Sequence, residues 1–122
     1  MTVLVVDDSP YMRGIVKTYF DEMGQQAEYL EASDGKDALK IIKSKSVDLV
    51  FVDWNMPRMT GIDFLKEVRS DEKLKDLPIV MVTSESSKLN VVEAMKSGAT
   101  DYIVKPIDDV EFKEKITEIL NG

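Results

Sequence analysis

Five times along the chain a short apolar, often β-branched run gives way, after a polar or charged residue, to a segment whose apolar residues recur three and four apart. The runs are Thr2 to Val6, Ala27 to Ala32, Val47 to Val52, Leu77 to Val82 and Thr100 to Val104. All are strand-sized, and Leu49-Val50-Phe51-Val52 is apolar without alternation, the pattern of a strand buried on both faces of a parallel sheet. The segments between them read as helices with recognisable ends. Ser9-Pro10 supplies an N-cap and a first-turn proline to a helix bearing Met12, Ile15, Val16, Tyr19, Phe20 and Met23, which runs to Gly24. Asp34, with Asp37 three residues on, caps a helix whose stripe is Ala38, Leu39, Ile41 and Ile42. Thr60 caps another, with Ile62, Leu65 and Val68 inward. A fourth helix, around Leu89, Val92 and Met95, stops at Ser97-Gly98, and Asp108 with Glu111 opens a fifth carrying Val110, Ile116, Ile119 and Leu120. Parallel strands need a crossover between them, so five such units predict an α/β chain folded as a doubly wound sandwich around a parallel sheet. Residues 1–122 show no linker, repeat or low-complexity tract, and their length suits one domain.

Composition narrows the chemistry. There is no Cys and no His, which removes disulfides, thiolate zinc sites, thiol catalysis, imidazole metal sites and the Ser-His-Asp triad. Any metal is therefore held by oxygen, which points to a hard cation such as Mg²⁺ or Ca²⁺. Sixteen Lys and Arg face 23 Asp and Glu, a formal charge of −7 without a basic stripe, which argues against nucleic acid as a partner. No apolar stretch is long enough to span a membrane and the N-terminus lacks a signal-peptide pattern, so a cytoplasmic location is expected.

Ligands of open α/β sheets bind beyond the carboxyl ends of the strands, where the strand order reverses. At those ends this chain places Asp7 and Asp8, then Asp53, then Thr83 and Ser84, then Lys105. Singly, each has a plainer reading. Asp7 and Asp8 are good turn and capping acids, Asp53 is ordinary turn punctuation, Thr83 and Ser84 are cap hydroxyls, and Lys105 is a solvated strand end. Tyr102 reads alone as a half-buried aromatic on an edge strand, and Trp54 as a loop aromatic near the site. Their coincidence on one rim favours a site. Three converging carboxylates repel one another unless a cation joins them, and Mg²⁺ leaves coordination positions free for water and phosphate oxygens. The set suits phosphoryl chemistry with a carboxylate nucleophile.

Four motifs carry a resemblance that covers essentially the whole chain: Val5-Val6-Asp7-Asp8-Ser9-Pro10, Asp53-Trp54-Asn55-Met56-Pro57, Thr83-Ser84-Glu85 and Tyr102-Ile103-Val104-Lys105-Pro106. The sequence resembles the receiver domain of two-component response regulators, and among these the single-domain chemotaxis regulators. The resemblance implies a flavodoxin-like (βα)5 fold with strand order 2-1-3-4-5. It implies that Asp53 accepts a phosphoryl group from a phosphohistidine on a sensor kinase, and that Asp7, Asp8, Asp53 and the Asn55 carbonyl hold Mg²⁺. Lys105 then binds a phosphoryl oxygen and precedes a cis peptide bond to Pro106. Ser84, Asn55 and Glu85 line the phosphoryl pocket, and the polar pair Asn55 and Glu85 implies a short-lived phosphorylated state. Thr83 and Tyr102 act as the switch, Tyr102 moving from exposed to buried, and the face of the fourth helix, fifth strand and fifth helix meets a target such as a flagellar motor switch component. A phosphatase is a further partner, and the chain is expected to act as a monomer.

The expected protein is a phosphoacceptor rather than an enzyme, catalysing only its own phosphorylation and dephosphorylation. Without His it cannot make its own phosphohistidine, and with 122 residues its output is expected to be a binding event. The alternative with the same site is a phosphorelay intermediate that passes the group to a histidine phosphotransfer protein. A haloacid-dehalogenase-type enzyme wants two acids separated by one residue, whereas Asp7 and Asp8 are adjacent. A flavodoxin-like electron carrier wants a first loop of Ser, Thr and Gly, and the two acids would repel its phosphate.

Overall fold

A computed structural model describes residues 1–122. The chain alternates β1 (Thr2–Val6), α1 (Pro10–Asp21), β2 (Glu28–Ala32), α2 (Gly35–Ser44), β3 (Leu49–Val52), α3 (Gly61–Arg69), β4 (Ile79–Thr83), α4 (Lys88–Lys96), β5 (Asp101–Val104) and α5 (Asp109–Asn121), with a single 3-10 turn at Glu72–Leu74. All strand pairs are parallel and the order is β2-β1-β3-β4-β5, the flavodoxin-like arrangement expected. β1 therefore lies between β2 and β3, where the winding reverses.

The alternation of side chains along each strand divides the interior in two. Leu4, Val6, Val50, Val52 and Met81 pack on one face with Ile42 of α2, Phe64, Leu65 and Val68 of α3 and Ala94 of α4. Val3, Val5, Leu49, Phe51, Val80 and Val82 pack on the other with Val16 and Phe20 of α1 and Phe112 and Ile116 of α5. The rings of Phe51 and Phe112 stack with centroids 5.4 Å apart. Each helix starts on a side-chain oxygen that accepts a backbone N–H: Ser9 from Met12, Asp34 from Asp37, Thr60 from Asp63, Ser87 from Asn90 and Asp108 from Glu111.

Two features depart from the sequence-based expectations. Four strands, β2 to β5, begin one or two residues later than the apolar runs do, because entry residues such as Val47 pack beside the sheet before ladder pairing starts. The larger departure is α4. Its Leu89, Val92 and Met95, the apolar residues that mark this helix in the sequence, are 82%, 41% and 43% exposed, while Ala94 faces the sheet with Val91 half-buried beside it. Both rows have helical spacing, and the sheet takes the one with the small residue. No helix is long and apolar enough to cross a membrane.

Candidate functional site

Asp7 and Asp53 lie one residue past β1 and β3, and their backbones extend the parallel ladders: Asp7 N–H donates to the Ala32 carbonyl at 3.1 Å and Asp53 N–H to the Val6 carbonyl at 3.0 Å. The register that pairs Val6 with Val52 thus brings the two acids to adjacent positions. Both are buried, whereas Asp8 is exposed. Carboxylate oxygens of Asp7, Asp8 and Asp53 all lie within 4.8 Å of one another.

Lys105 closes the cluster from the end of β5, where its N–H donates to the Thr83 carbonyl at 2.9 Å and its peptide bond to Pro106 is cis, as expected. Its ammonium donates to Asp7 Oδ2 at 2.8 Å and to Asp53 Oδ2 at 3.0 Å. The other oxygens are held locally: Asp7 Oδ1 accepts from Ser9 N–H at 2.9 Å and Asp53 Oδ1 from Trp54 N–H at 2.7 Å. Burial raises the Asp7 carboxyl above its ordinary value, and the hydrogen bond from Lys105 only partly offsets this. Burial alone would lower the Lys105 ammonium, but hydrogen bonds to Asp7 and Asp53 outweigh it and the net direction is upward. Three carboxylates facing one ammonium leave negative charge in excess, and this all-oxygen donor set, open on the Asp8 side, fits a hard divalent cation such as Mg²⁺.

Around this centre the other candidates fall into place unequally. Thr83 is fully buried, and its Oγ1 accepts from Glu85 N–H at 3.3 Å. Tyr102 is only 4% exposed despite lying on an edge strand, and its hydroxyl donates a short hydrogen bond to the Glu85 carbonyl. Burial, with the Glu85 and Asp53 charges, raises its phenol above the ordinary tyrosine value. Asn55 and Ser84 are exposed, Glu85 is half-buried, and Trp54 packs half-buried against the core.

Three contributors escape a residue-by-residue reading. Arg13 of α1 donates through Nη1 to the Asp7 carbonyl at 2.5 Å. Gly61 lies so close to the backbone of Asp53 that a Cβ there would sit 2.1 Å from the Asp53 carbonyl oxygen, while its N–H donates to the Trp54 carbonyl at 2.8 Å. Arg58, with φ of 68°, ties the loop after β3 to Asp34 Oδ2 at 3.2 Å. Their one sequence signal is position, since Gly61 follows the Thr60 cap and Arg58 sits in a turn.

Comparison with known proteins agrees with this geometry. The pattern of the response regulator receiver domain matches residues 3–117. The chemotaxis protein CheY-3 of Vibrio cholerae is 44% identical over 119 residues, covering 98% of this chain and 91% of that protein. Among solved structures, the chemotaxis response regulator CheY4 of Vibrio cholerae superposes with a TM-score of 0.84 at 34% identity, covering 97% of each chain. The receiver domain of the sensor histidine kinase PA1611 from Pseudomonas aeruginosa PAO1 shares the fold at 20% identity, with a TM-score of 0.86 over 99% of this chain and 98% of that one, and has a magnesium ion coordinated in its active site cleft. The chain belongs to the response regulator receiver domain family, a CheY-like signalling module of two-component systems rather than a conventional enzyme.

Proposed function

We propose that the protein is a phosphorylation-driven switch in which Asp53 takes a phosphoryl group from a phosphohistidine of a sensor kinase. The observation that carries this reading is Lys105, whose ammonium joins Asp7 and Asp53 within a cluster of three carboxylates. In the transfer, an Asp53 oxygen forms the new bond to phosphorus as the bond from phosphorus to the histidine nitrogen breaks, and the imidazole leaves with its electron pair. Trp54 N–H holds one Asp53 oxygen, which leaves the oxygen facing Lys105 as the nucleophile. Lys105 then keeps its charge beside the transferred group and binds one of its oxygens. Asp7, Asp8, Asp53 and the Asn55 carbonyl would hold Mg²⁺, which when bound neutralises charge on the phosphoryl oxygens. Ser84 leaves room for the group to approach, and Asn55 and Glu85 govern the access of the water that removes it.

The output is a change of surface. Thr83 gives up its bond from Glu85 N–H to reach the acyl phosphate, the loop leading into α4 shifts, and Tyr102 moves with it. The surface that changes carries exposed Met95, Val104 and Val110 from α4, β5 and α5. Its partners in this reading are the kinase, a phosphatase and a target such as a flagellar motor switch component, met by a monomer in the cytoplasm. Residues 1–122 act as one receiver domain.

The test is to add Mg²⁺ and then beryllofluoride or acetyl phosphate while following Trp54 fluorescence. A response in the wild type that disappears in Asp53→Asn supports the reading, and an undiminished response in that variant sinks it. Apolar replacements at Asn55 and Glu85 are expected to lengthen the life of the acyl phosphate. A long-lived wild-type acyl phosphate that passes to a histidine phosphotransfer protein would favour the relay instead.

A further inference from the structure

Arg13 reaches the acidic rim from α1 and is not part of the phosphoryl chemistry above. Its guanidinium makes two bonds at once: Nη1 donates to the Asp7 carbonyl at 2.5 Å and Nε to Glu31 Oε1 at 2.9 Å. The second Glu31 oxygen accepts from Lys17 Nζ at 2.9 Å, so α1 grips β2 at two points. Glu31 is in turn in register with Val5, two residues before Asp7 on the neighbouring strand. The Arg13 side chain is 17% exposed, enclosed enough for this geometry to persist. Hydrogen bonds from Lys17 and then Arg13 hold the Glu31 carboxyl below its ordinary range, which keeps the brace charged.

The Asp7 carbonyl belongs to the planar peptide unit whose nitrogen is that of Asp8. Whatever fixes that oxygen fixes the plane, and with it the position of the Asp8 nitrogen and Cα from which the Asp8 side chain departs. Asp7 has Ser9 N–H and Lys105 to orient its carboxylate, whereas the exposed Asp8 carboxylate has no such partner and depends on its backbone. The geometry points to Arg13, braced by Glu31, as a positioning residue that aims the Asp7-Asp8 peptide so that both carboxylates face one divalent cation. The inference rests on the Mg²⁺ site proposed above and deepens it. A lysine cannot replace Arg13 here, because the two donors are different nitrogens of a rigid planar fork and lysine has only one nitrogen.

The experiment titrates Mg²⁺ alone into the wild type, Arg13→Lys, Arg13→Gln and Glu31→Gln, following Trp54 fluorescence, and records the ¹⁵N shift of the Asp8 amide in the metal-free proteins. Arg13→Gln and Arg13→Lys are each expected to weaken Mg²⁺ binding by roughly tenfold, the usual scale for partners that orient ligands. In both, the Asp8 amide shift moves before any metal is added. Glu31→Gln, which keeps an oxygen for Nε, weakens binding less. Wild-type affinity in both Arg13 variants overturns the inference, and so does wild-type affinity in Arg13→Lys alone, which would make charge rather than geometry the cause. If Arg13→Gln fails to fold, Arg13→Lys decides. A wild type that takes up no Mg²⁺ overturns the parent reading and this inference together.

Discussion

Helices α3 and α4 are both nine residues long and both follow a central strand, yet they are attached to the sheet very differently. α3 buries Gly61, Ile62, Phe64, Leu65 and Val68, and its first residue presses against the backbone of Asp53. α4 buries Ala94 alone and turns Leu89, Val92 and Met95 outward. Full burial of a large apolar side chain is worth about 1.5–3 kcal/mol. On that scale α3 is anchored by several such contributions and α4 by almost none. The contrast assigns the helices different mechanical parts: α3 is the fixed floor under Asp53, and α4 is an element whose displacement costs little.

Four measurements would break or sharpen this contrast. The largest effect is expected for Phe64→Ala on α3, a fully buried ring, with a loss of about 3–5 kcal/mol in urea unfolding. A loss no greater than that of a surface variant would remove the distinction. Next comes Gly61→Ala, whose added Cβ has no space beside the Asp53 carbonyl; overpacking of this kind costs about 1–3 kcal/mol. The same variant should blunt the beryllofluoride response, because the carboxylate moves with its backbone. Third, Leu89→Ser on α4 should change stability by no more than about 0.5 kcal/mol, and α4 amides should exchange with solvent ahead of those of α3. Equal protection of the two helices would contradict the comparison.

The smallest effect concerns Tyr102, which ties β5 to the loop that leads into α4. Its folded pKa is raised above the ordinary 10.0, first by burial and then by the Glu85 and Asp53 charges. The folded state therefore favours the neutral phenol. The resulting stabilisation is complete below pH 10.0 and is lost as pH rises through the folded value. The stabilities of the wild type and Tyr102→Phe, offset by a constant amount for the lost bond to the Glu85 carbonyl, should accordingly run parallel below pH 10.0 and change their separation only above it, and a separation that changes near neutrality would show the cause to lie elsewhere.

The rim was legible in the sequence because each of its residues stands at the end of an apolar run, and a parallel sheet gathers such ends. Asp7, Asp53, Thr83 and Lys105 could be placed together before any coordinates, and the helix starts at Ser9, Asp34, Thr60 and Asp108 could be read from local chemistry. What could not be read depends on the surface beneath. Leu89, Val92 and Met95 satisfy helical spacing as well as the row through Val91 and Ala94 does, and only the packing against the sheet selects between them. Arg13 and Gly61 act through backbone carbonyls of Asp7 and Asp53, and spacing says nothing about which carbonyl a side chain will meet. The edge position of Tyr102, taken alone, suggests half burial, whereas its hydroxyl reaches the Glu85 carbonyl and the residue is buried.

The ion pair of Lys105 with Asp7 spans 98 residues of sequence, and that with Asp53 spans 52. Asp7 and Asp53, which follow β1 and β3, thus receive their counter-charge from the end of β5. During synthesis the ribosome must release β5 before the two carboxylates gain this partner, and closing so long a loop comes late in assembly. An unfinished chain can pair β1 with β3 yet carries an uncompensated cluster of charge at their ends. The charge balance beside β1 and β3 is therefore settled only when β5 has joined the sheet, so the electrostatics of the first strand's end are decided by the last strand added.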